Sequence, residues 1–413
     1  MTQPTAPDVS LSDVYRPEFI DDPYPLYRRA RETHPVLWDP RMGDAGAWMV
    51  TGYDTALTAL RDPRFSARRP QWDPAAGTER TTSPLRALHT QVFVSDPPDH
   101  QRIRRALSGP FLPRAVDAMR PDLERAAHRL LDAVLPRGEM DFMADYALAL
   151  PSATVCGLLG VPEEDRDRLW KFIVSWGLLV DDGPFGKENP EYHLGGIGKY
   201  MDYFRRQLDL RRTRRADDLM QTALDAWDDG EFHSEEELLG NLIFLLTAGR
   251  TTTAHQIGNT VLALLDQPDV YAAVAADPSL VPAATPEFMR YDSSVQLTRR
   301  RATEPVELGG RTVEPGQEVF VWIGAAHRDP AVFADPDRID PDRPRTPNLA
   351  LGHGAHYCLG GRLGQLVNEI AVRAFLERVR RPGVDPAGVQ RTLTPTFRGP
   401  HVMPMTFDAK ETS

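Results

Sequence analysis

The residues whose types and spacing best suit chemistry lie near the end of the chain, in the stretch 351–364. A single thiol, Cys358, sits there among Gly352, Gly354, Gly360 and Gly361. From Leu359 to Val379 apolar residues recur at helical spacing, so Cys358 falls just before a helix N-terminus. Unpaired N–H groups and the helix dipole at that end favour a thiolate. The glycines let the backbone turn tightly and approach a flat partner closely. Such a thiolate can be a nucleophile, with His356 near as a base, or a metal ligand; the plain alternative is a surface or core cysteine. The only other cysteine, Cys156, lies in an apolar helix end and reads as core.

Three further segments must position that loop and whatever it holds. The first is Asp96 to Arg105, which opens a helix after Pro97 and Pro98. Its His100 and Arg104 are four apart and share a face. The second is Ser234 to Gln267, begun by a capping box of Ser234 and Glu237 and stopped before Pro268. As one helix it is roughly 50 Å long. Its middle, Ala248-Gly249-Arg250-Thr251-Thr252-Thr253, is poor helix interior. Hydroxyls there can bond preceding carbonyls and bend the helix, making room for a small ligand. The third is Glu287 with Arg290, three apart on a predicted helix and able to pair; Arg338 or Arg343 is a candidate third partner.

Together these blocks resemble the cytochrome P-450 monooxygenases. The cysteine loop matches the family's haem-binding signature, with glycines four and six before the cysteine, a basic residue two before it and a glycine two after. The resemblance makes Cys358 the proximal ligand of haem b, iron protoporphyrin IX, a ligand type that favours O–O cleavage. It implies that His100, Arg104 and Arg300 hold the haem propionates by charge-assisted bonds. Arg299 and Arg301 flank Arg300, so that register is open by one residue. His356, Ala248, Gly249 and Gly352 join the cofactor-binding set. Thr252 matches the family's proton-delivering threonine. The Glu287–Arg290 pair matches the family's structural Glu-x-x-Arg, and 326–330 its Ala-Asn-Arg-Asp-Pro turn with His327 in place of asparagine. The chain departs from the pattern at Thr251, where the family has an acid, at Leu351 for phenylalanine and at Gly364 for alanine.

The implied fold is mainly α, a large helical bundle with a long central helix plus a small β-rich lobe. Residues 1–20 read as a flexible arm and 21–413 as a single domain. A helix is expected over 141–158, and the last segment, Leu393 to Phe407, reads as a hairpin. With 413 residues the chain can bury a large core. A net charge of −11 argues against nucleic acid as a partner. No apolar run of spanning length and no leader is read from the sequence, so a cytoplasmic protein without a membrane anchor is expected.

The function implied is oxidation, chiefly hydroxylation, of a small-to-medium natural-product intermediate by dioxygen. Electrons would come from ferredoxin and ferredoxin reductase, docked on Arg102, Arg105 and Arg362. Substrate contacts are expected from Phe93 and Val94, from Trp176 and Leu179, and from Phe244 and Ala248. Val295, Gln296, Leu297 and Thr396 complete that set. Because position 251 is a threonine, an atypical reaction of the same cofactor (oxidative coupling, cyclisation, dehydration or peroxide-driven oxidation) is the alternative. A haem sensor or carrier without turnover is a third reading.

Overall fold

The computed structural model describes residues 10, 13–14, 16–42, 45–69, 83–170, 190–392 and 394–410. The fold is mainly helical with small sheets. Its contacts gather into two compact units. The first comprises Met1–Ser66, Met119–Leu150 and Thr252–Ser413; the second comprises Ala67–Ala118 and Pro151–Thr251.

The first unit holds a five-stranded sheet in the order Val36–Asp39, Ala47–Val50, Glu318–Trp322, Leu297–Ala302, Phe65–Ser66. The alternating pattern of these segments, bounded by turn residues, explains why they are strands. The expected hairpin of 36–50 forms, with Val36 opposite Val50 and Trp38 opposite Trp48. One face of the sheet buries Val50, Val319, Val321 and Ala302. The other buries Met49, Leu297, Phe320 and Trp322. Val14 joins this second cluster and Pro17–Asp21 is helical. The described part of the expected arm is thus packed, because its apolar residues find a place on the sheet.

The hairpin expected over Leu393 to Phe407 is displaced toward the N-terminus, and the strand after it leaves for another sheet. Pro400–Val402 pairs with Gln390–Arg391, whereas Pro404–Ala409 pairs with Glu139–Asp141 and Val379–Val384. Adjacent strands therefore enter different sheets, which local sequence cannot reveal.

The long helix is Glu235–Leu265, 31 residues, and runs from the second unit into the first. Ser234 Oγ accepts the Glu237 N–H at 3.2 Å, the first half of the expected box. The Glu237 carboxylate turns instead to the His233 N–H and to Arg102. The helix is unbroken through 248–253. Thr247, one turn earlier, bonds back to Ile243 O at 2.8 Å, and Thr260 likewise to Gln256 O at 2.8 Å.

The expected helix over 141–158 is two elements. Phe142–Ala147 is a π-turn, in which Leu148 N–H reaches Met143 O at 2.8 Å; Ala149–Leu159 is α-helical. By length and composition Phe142–Leu159 passes as a membrane span, contrary to the reading of the sequence, but half of it is buried inside the fold. Phe142, Tyr146 and Cys156 carry that burial.

Candidate active site

In the first unit, the cysteine loop is shaped by backbone bonds. Leu349–Leu351 forms one 3-10 turn and Gly354–His356 another. Gly352 at φ +72° and Gly354 at φ +70° occupy the left-handed region, where a side chain would be strained. A Cβ at Gly354 would also press on Leu60 O at 2.9 Å. Cys358 N–H donates to Leu351 O at 2.8 Å, and Cys358 O accepts from Gly361 N at 3.1 Å. Gly361–Arg378 then starts as a helix. The Cys358 thiol is exposed, whereas Cys156 is buried. Burial pushes the Cys156 thiol up to about 11, so it stays protonated. Burial and the neighbouring Cys358 also raise the Tyr357 phenol.

The strand Leu297–Ala302 separates the three consecutive arginines. Arg300 is 8% exposed, and its Nη1 lies 2.8 Å from Arg299 O. Arg299 points to the other face, over the Phe320 ring at 5.4 Å. Arg301 bonds Gly316 O at 3.0 Å in the open. The alternation thus sets Arg300 apart as the buried guanidinium.

The chain 294–298 pairs with 396–398. Gln296 N–H donates to Thr396 O at 2.9 Å, and Arg398 N–H to Ser294 O at 2.9 Å. The Glu235–Leu265 helix pins both segments. Gln256 Nε2 donates to Asp292 O at 3.1 Å, and Asn259 Nδ2 to Arg398 O at 3.0 Å. Val295, Gln296 and Thr396 are thereby brought together, on the unit that carries Thr252. Of these, Gln296 turns inward: it is 1% exposed and its Nε2 bonds Ser293 O at 2.7 Å. A Cβ at Gly324 would collide with its amide. Leu297 lies in the core beside Trp322. Both are buried in the first unit, Gln296 through the bond of its amide and Leu297 by packing in the core.

Glu287 and Arg290 pair as expected, at 2.7 Å and 2.8 Å. The third partner is Arg343, whose Nε lies 3.0 Å from Glu287 Oε1. Arg338 contributes its carbonyl to Arg290, and its side chain pairs with Asp269.

In the second unit, Asp99–Leu107 is helical with His100 buried and Arg104 one turn on. Residues 90–94 are tied to the long helix. Val92 N–H donates to Asn241 Oδ1 at 2.9 Å, Asn241 Nδ2 to Thr90 O at 3.0 Å, and Gln91 Nε2 to Gly240 O at 3.1 Å. Gly240 permits this approach, since a Cβ there would strike Ala87 O. The result is that Phe93 and Phe244 stack at 4.8 Å and 11°. Val94, next to Phe93, is buried. Trp176 and Leu179 lie outside the described residues.

Arg250 bonds Ser152 Oγ at 2.8 Å and stacks over Trp170 at 4.6 Å. Burial lowers its affinity for a proton. Arg102 is not a surface docking group. It clamps Glu237 at 2.7 Å and Asp99 at 2.9 Å, the cost of its burial being offset by these carboxylates. Arg105 is exposed but paired with Glu231 at 2.8 Å.

The residues fit a haem held through sulfur. The thiol is presented outward on a loop whose glycines keep its own bulk low. The long helix is buried at Leu238–Leu239, Asn241–Ile243 and Ala254–Val261, yet its burial relaxes over 248–253, at the expected groove. Arg300 supplies a buried cation suited to a carboxylate.

A family model described as Cytochrome P450 matches residues 195–382. The chain is 33% identical over 396 residues to the biotin biosynthesis cytochrome P450 of Bacillus subtilis (strain 168), covering 95% of this chain and 98% of that protein. It is 36% identical over 396 residues to the cytochrome P450 monooxygenase PikC of Streptomyces venezuelae, covering 94% and 92%. The crystal structure of P450BioI in complex with an acyl carrier protein ligated to hexadec-9Z-enoic acid superposes with a TM-score of 0.87 at 31% identity, over 95% of this chain and 100% of that one. Near-complete coverage at this identity, together with an outward thiol in a glycine loop, means that the chain belongs to the cytochrome P450 family, the monooxygenases that carry haem b on a cysteine thiolate.

Proposed function

We propose that the protein hydroxylates a small-to-medium natural-product intermediate, using dioxygen and electrons from ferredoxin and its reductase. The observation that carries this is the presentation of Cys358, exposed, anchored through its own N–H and C=O, and set before the Gly361–Arg378 helix. Haem b bound through a thiolate supplies the activation of dioxygen and the oxidising power for C–H bonds. Cys358 provides the sulfur. Arg300, His100 and Arg104 hold the propionate carboxylates, with Arg300 buried so that its charge is weakly screened. Gly249, Ala248 and Gly352 keep backbone close to the ring, and His356 lies two residues before the ligand.

Protons are passed by hydroxyls. Thr252 and Thr251 each hold and release a proton at Oγ1 through water, and no carboxylate stands at 251 to store charge. The stacked Phe93 and Phe244 offer the substrate an apolar surface on the second unit, and Val295 and Thr396 are the candidate contacts on the first. Arg362, exposed on the helix after Cys358, is a candidate for docking an acidic ferredoxin. A cytoplasmic location is part of this reading, and the burial of half of Phe142–Leu159 inside the fold is what a core helix shows.

Thr251 favours a second reading: the same cofactor performing coupling, cyclisation, dehydration or peroxide-driven oxidation. The test is a substrate screen by spectral shift of the ferric protein, followed by product analysis under isotope-labelled dioxygen. The panel includes acyl chains on a carrier protein, since P450BioI was crystallised with one. Label in a new hydroxyl, with electron consumption matched to product, is expected. Product without label moves the assignment to the second reading. Cys358→Ser protein that kept its pigment and turnover would overturn both.

A further inference from the structure

His327 is fully buried and sits where the resembling turn has asparagine. Its ring bonds on both sides. Ser293 Oγ donates its proton to Met289 O at 2.6 Å, so Oγ can only accept from the ring. His327 Nδ1, 3.0 Å from Ser293 Oγ, must then carry the hydrogen. That leaves the Nε2 lone pair for the Leu349 N–H, at 2.9 Å. The imidazole is neutral and of one tautomer. Burial, with Arg290 and Arg328 nearby, pushes its pKa down to about 3. The His327 carbonyl accepts from Arg290 Nη1 at 2.8 Å, which ties the residue to the Glu287–Arg343 cluster.

Leu349 is the first residue of the turn that leads to the thiol. Its carbonyl takes the Gly352 N–H at 2.8 Å, and Leu351 O takes the Cys358 N–H at 2.8 Å. Residues 327–348 form no helix or strand. The ring therefore bridges a long irregular segment and holds the point where the cysteine loop begins.

We infer that His327 is a positioning residue for the thiolate: it accepts the Leu349 N–H at Nε2 and so sets the path of the loop that presents Cys358. This rests on the reading of Cys358 as the haem ligand. The specific content is that the Nε2 bond matters, not the mere filling of space. Glutamine places an acceptor near the Nε2 position, asparagine only near Nδ1, and phenylalanine fills the volume with neither.

The experiment compares His327→Gln, His327→Asn and His327→Phe holoproteins, with Cys358→Ser alongside. Two readouts are taken: the fraction showing the thiolate signature in the carbon monoxide spectrum of the reduced protein, and the rate of haem loss to an acceptor protein. Melting temperature is recorded as the control for plain destabilisation. His327→Gln is expected to keep both properties near those of the parent, whereas His327→Asn and His327→Phe lose haem roughly tenfold faster. Their thiolate fraction falls as well. Equal behaviour of the three variants, whether all intact or all impaired, overturns the inference. If the phenylalanine variant does not fold, the glutamine–asparagine pair decides it. Cys358→Ser protein that retains the thiolate signature would instead refute the ligand assignment, whatever His327 does.

Discussion

Replacing Glu287 by glutamine tests the energetics of the segment that supports the cysteine loop. Glu287 is 7% exposed and its carboxylate accepts four bonds: two from Arg290, one from Arg343 Nε at 3.0 Å, and one from the Asp340 N–H at 3.0 Å. Glutamine has nearly the same shape but removes the charge and turns an NH2 toward the guanidinium donors. Both arginines are then left in a buried site without their counter-ion. Breaking a buried pair from one side costs about 3 to 5 kcal/mol. Solvent screening does not reduce this much, since Arg290 is 3% and Arg343 10% exposed at the side chain. For a cooperative unit the size of the first one, that corresponds to a fall in melting temperature of about 5 to 9 °C. The pH dependence follows. Burial alone would raise the Glu287 carboxyl, but the hydrogen bonds and charge of Arg290, with the Asp340 amide and Arg343, hold it below its ordinary value of about 4.5. A depressed folded-state value contributes stability that is complete above the unfolded value and is lost as pH falls through the folded one. The gap between parent and Glu287→Gln should therefore be full at neutral pH and close below about pH 4.5. Scanning calorimetry of the apo and holo forms across that range is the assay. A gap under about 1 kcal/mol at neutral pH, or one that does not change on acidification, refutes the reasoning.

The second unit offers a paired glycine test. Gly240→Ala drives a methyl into Ala87 O and should cost about 1 to 3 kcal/mol, whereas Gly157→Ala, with nothing within 4 Å of the new Cβ, should gain about 0.5 to 1 kcal/mol in thermal unfolding. In haem-free protein, a thiol alkylator followed by peptide mapping should label Cys358 and spare Cys156, the latter being buried with its thiol held protonated. On the proposed role of Thr252 in proton supply, Thr252→Ala should lower product formed per electron pair consumed while leaving haem content and thiolate signature unchanged. Thr251→Asp should raise that ratio if the missing carboxylate is what limits proton supply.

Much of the site was legible because it is written in short, local patterns. A thiol among glycines before a helical apolar run needs no tertiary information, and neither does the acidic first turn after Ser234 that starts a 31-residue helix. The Glu287–Arg290 pair is likewise one helical turn. What could not be read are the choices made between distant segments. Arg343 rather than Arg338 reaches Glu287 because the irregular chain after Asp335 folds back in one particular way. Arg102 looks like a docking cation in sequence, yet it is engaged by Glu237, 135 residues on. Gln296 and Leu297 read as substrate contacts, but a bond to Ser293 O turns the amide of the first inward, and the pairing of Leu297–Ala302 with Glu318–Trp322 sets the second against the core. A shift of one residue would have turned Leu297 to the other face.

The sequence by itself determined that Cys358 would sit in a glycine-turned loop just before a helix, and it marked the segments proposed to carry the partner residues. Each of those signals is a matter of backbone freedom, helix ends and spacing within one element. Tertiary structure alone decided which of three adjacent arginines is buried, and that His327 is the neutral bridge to Leu349. Such outcomes depend on strand register and on hydrogen bonds between chain segments far apart, where the energy belongs to the pair and is absent from either member alone.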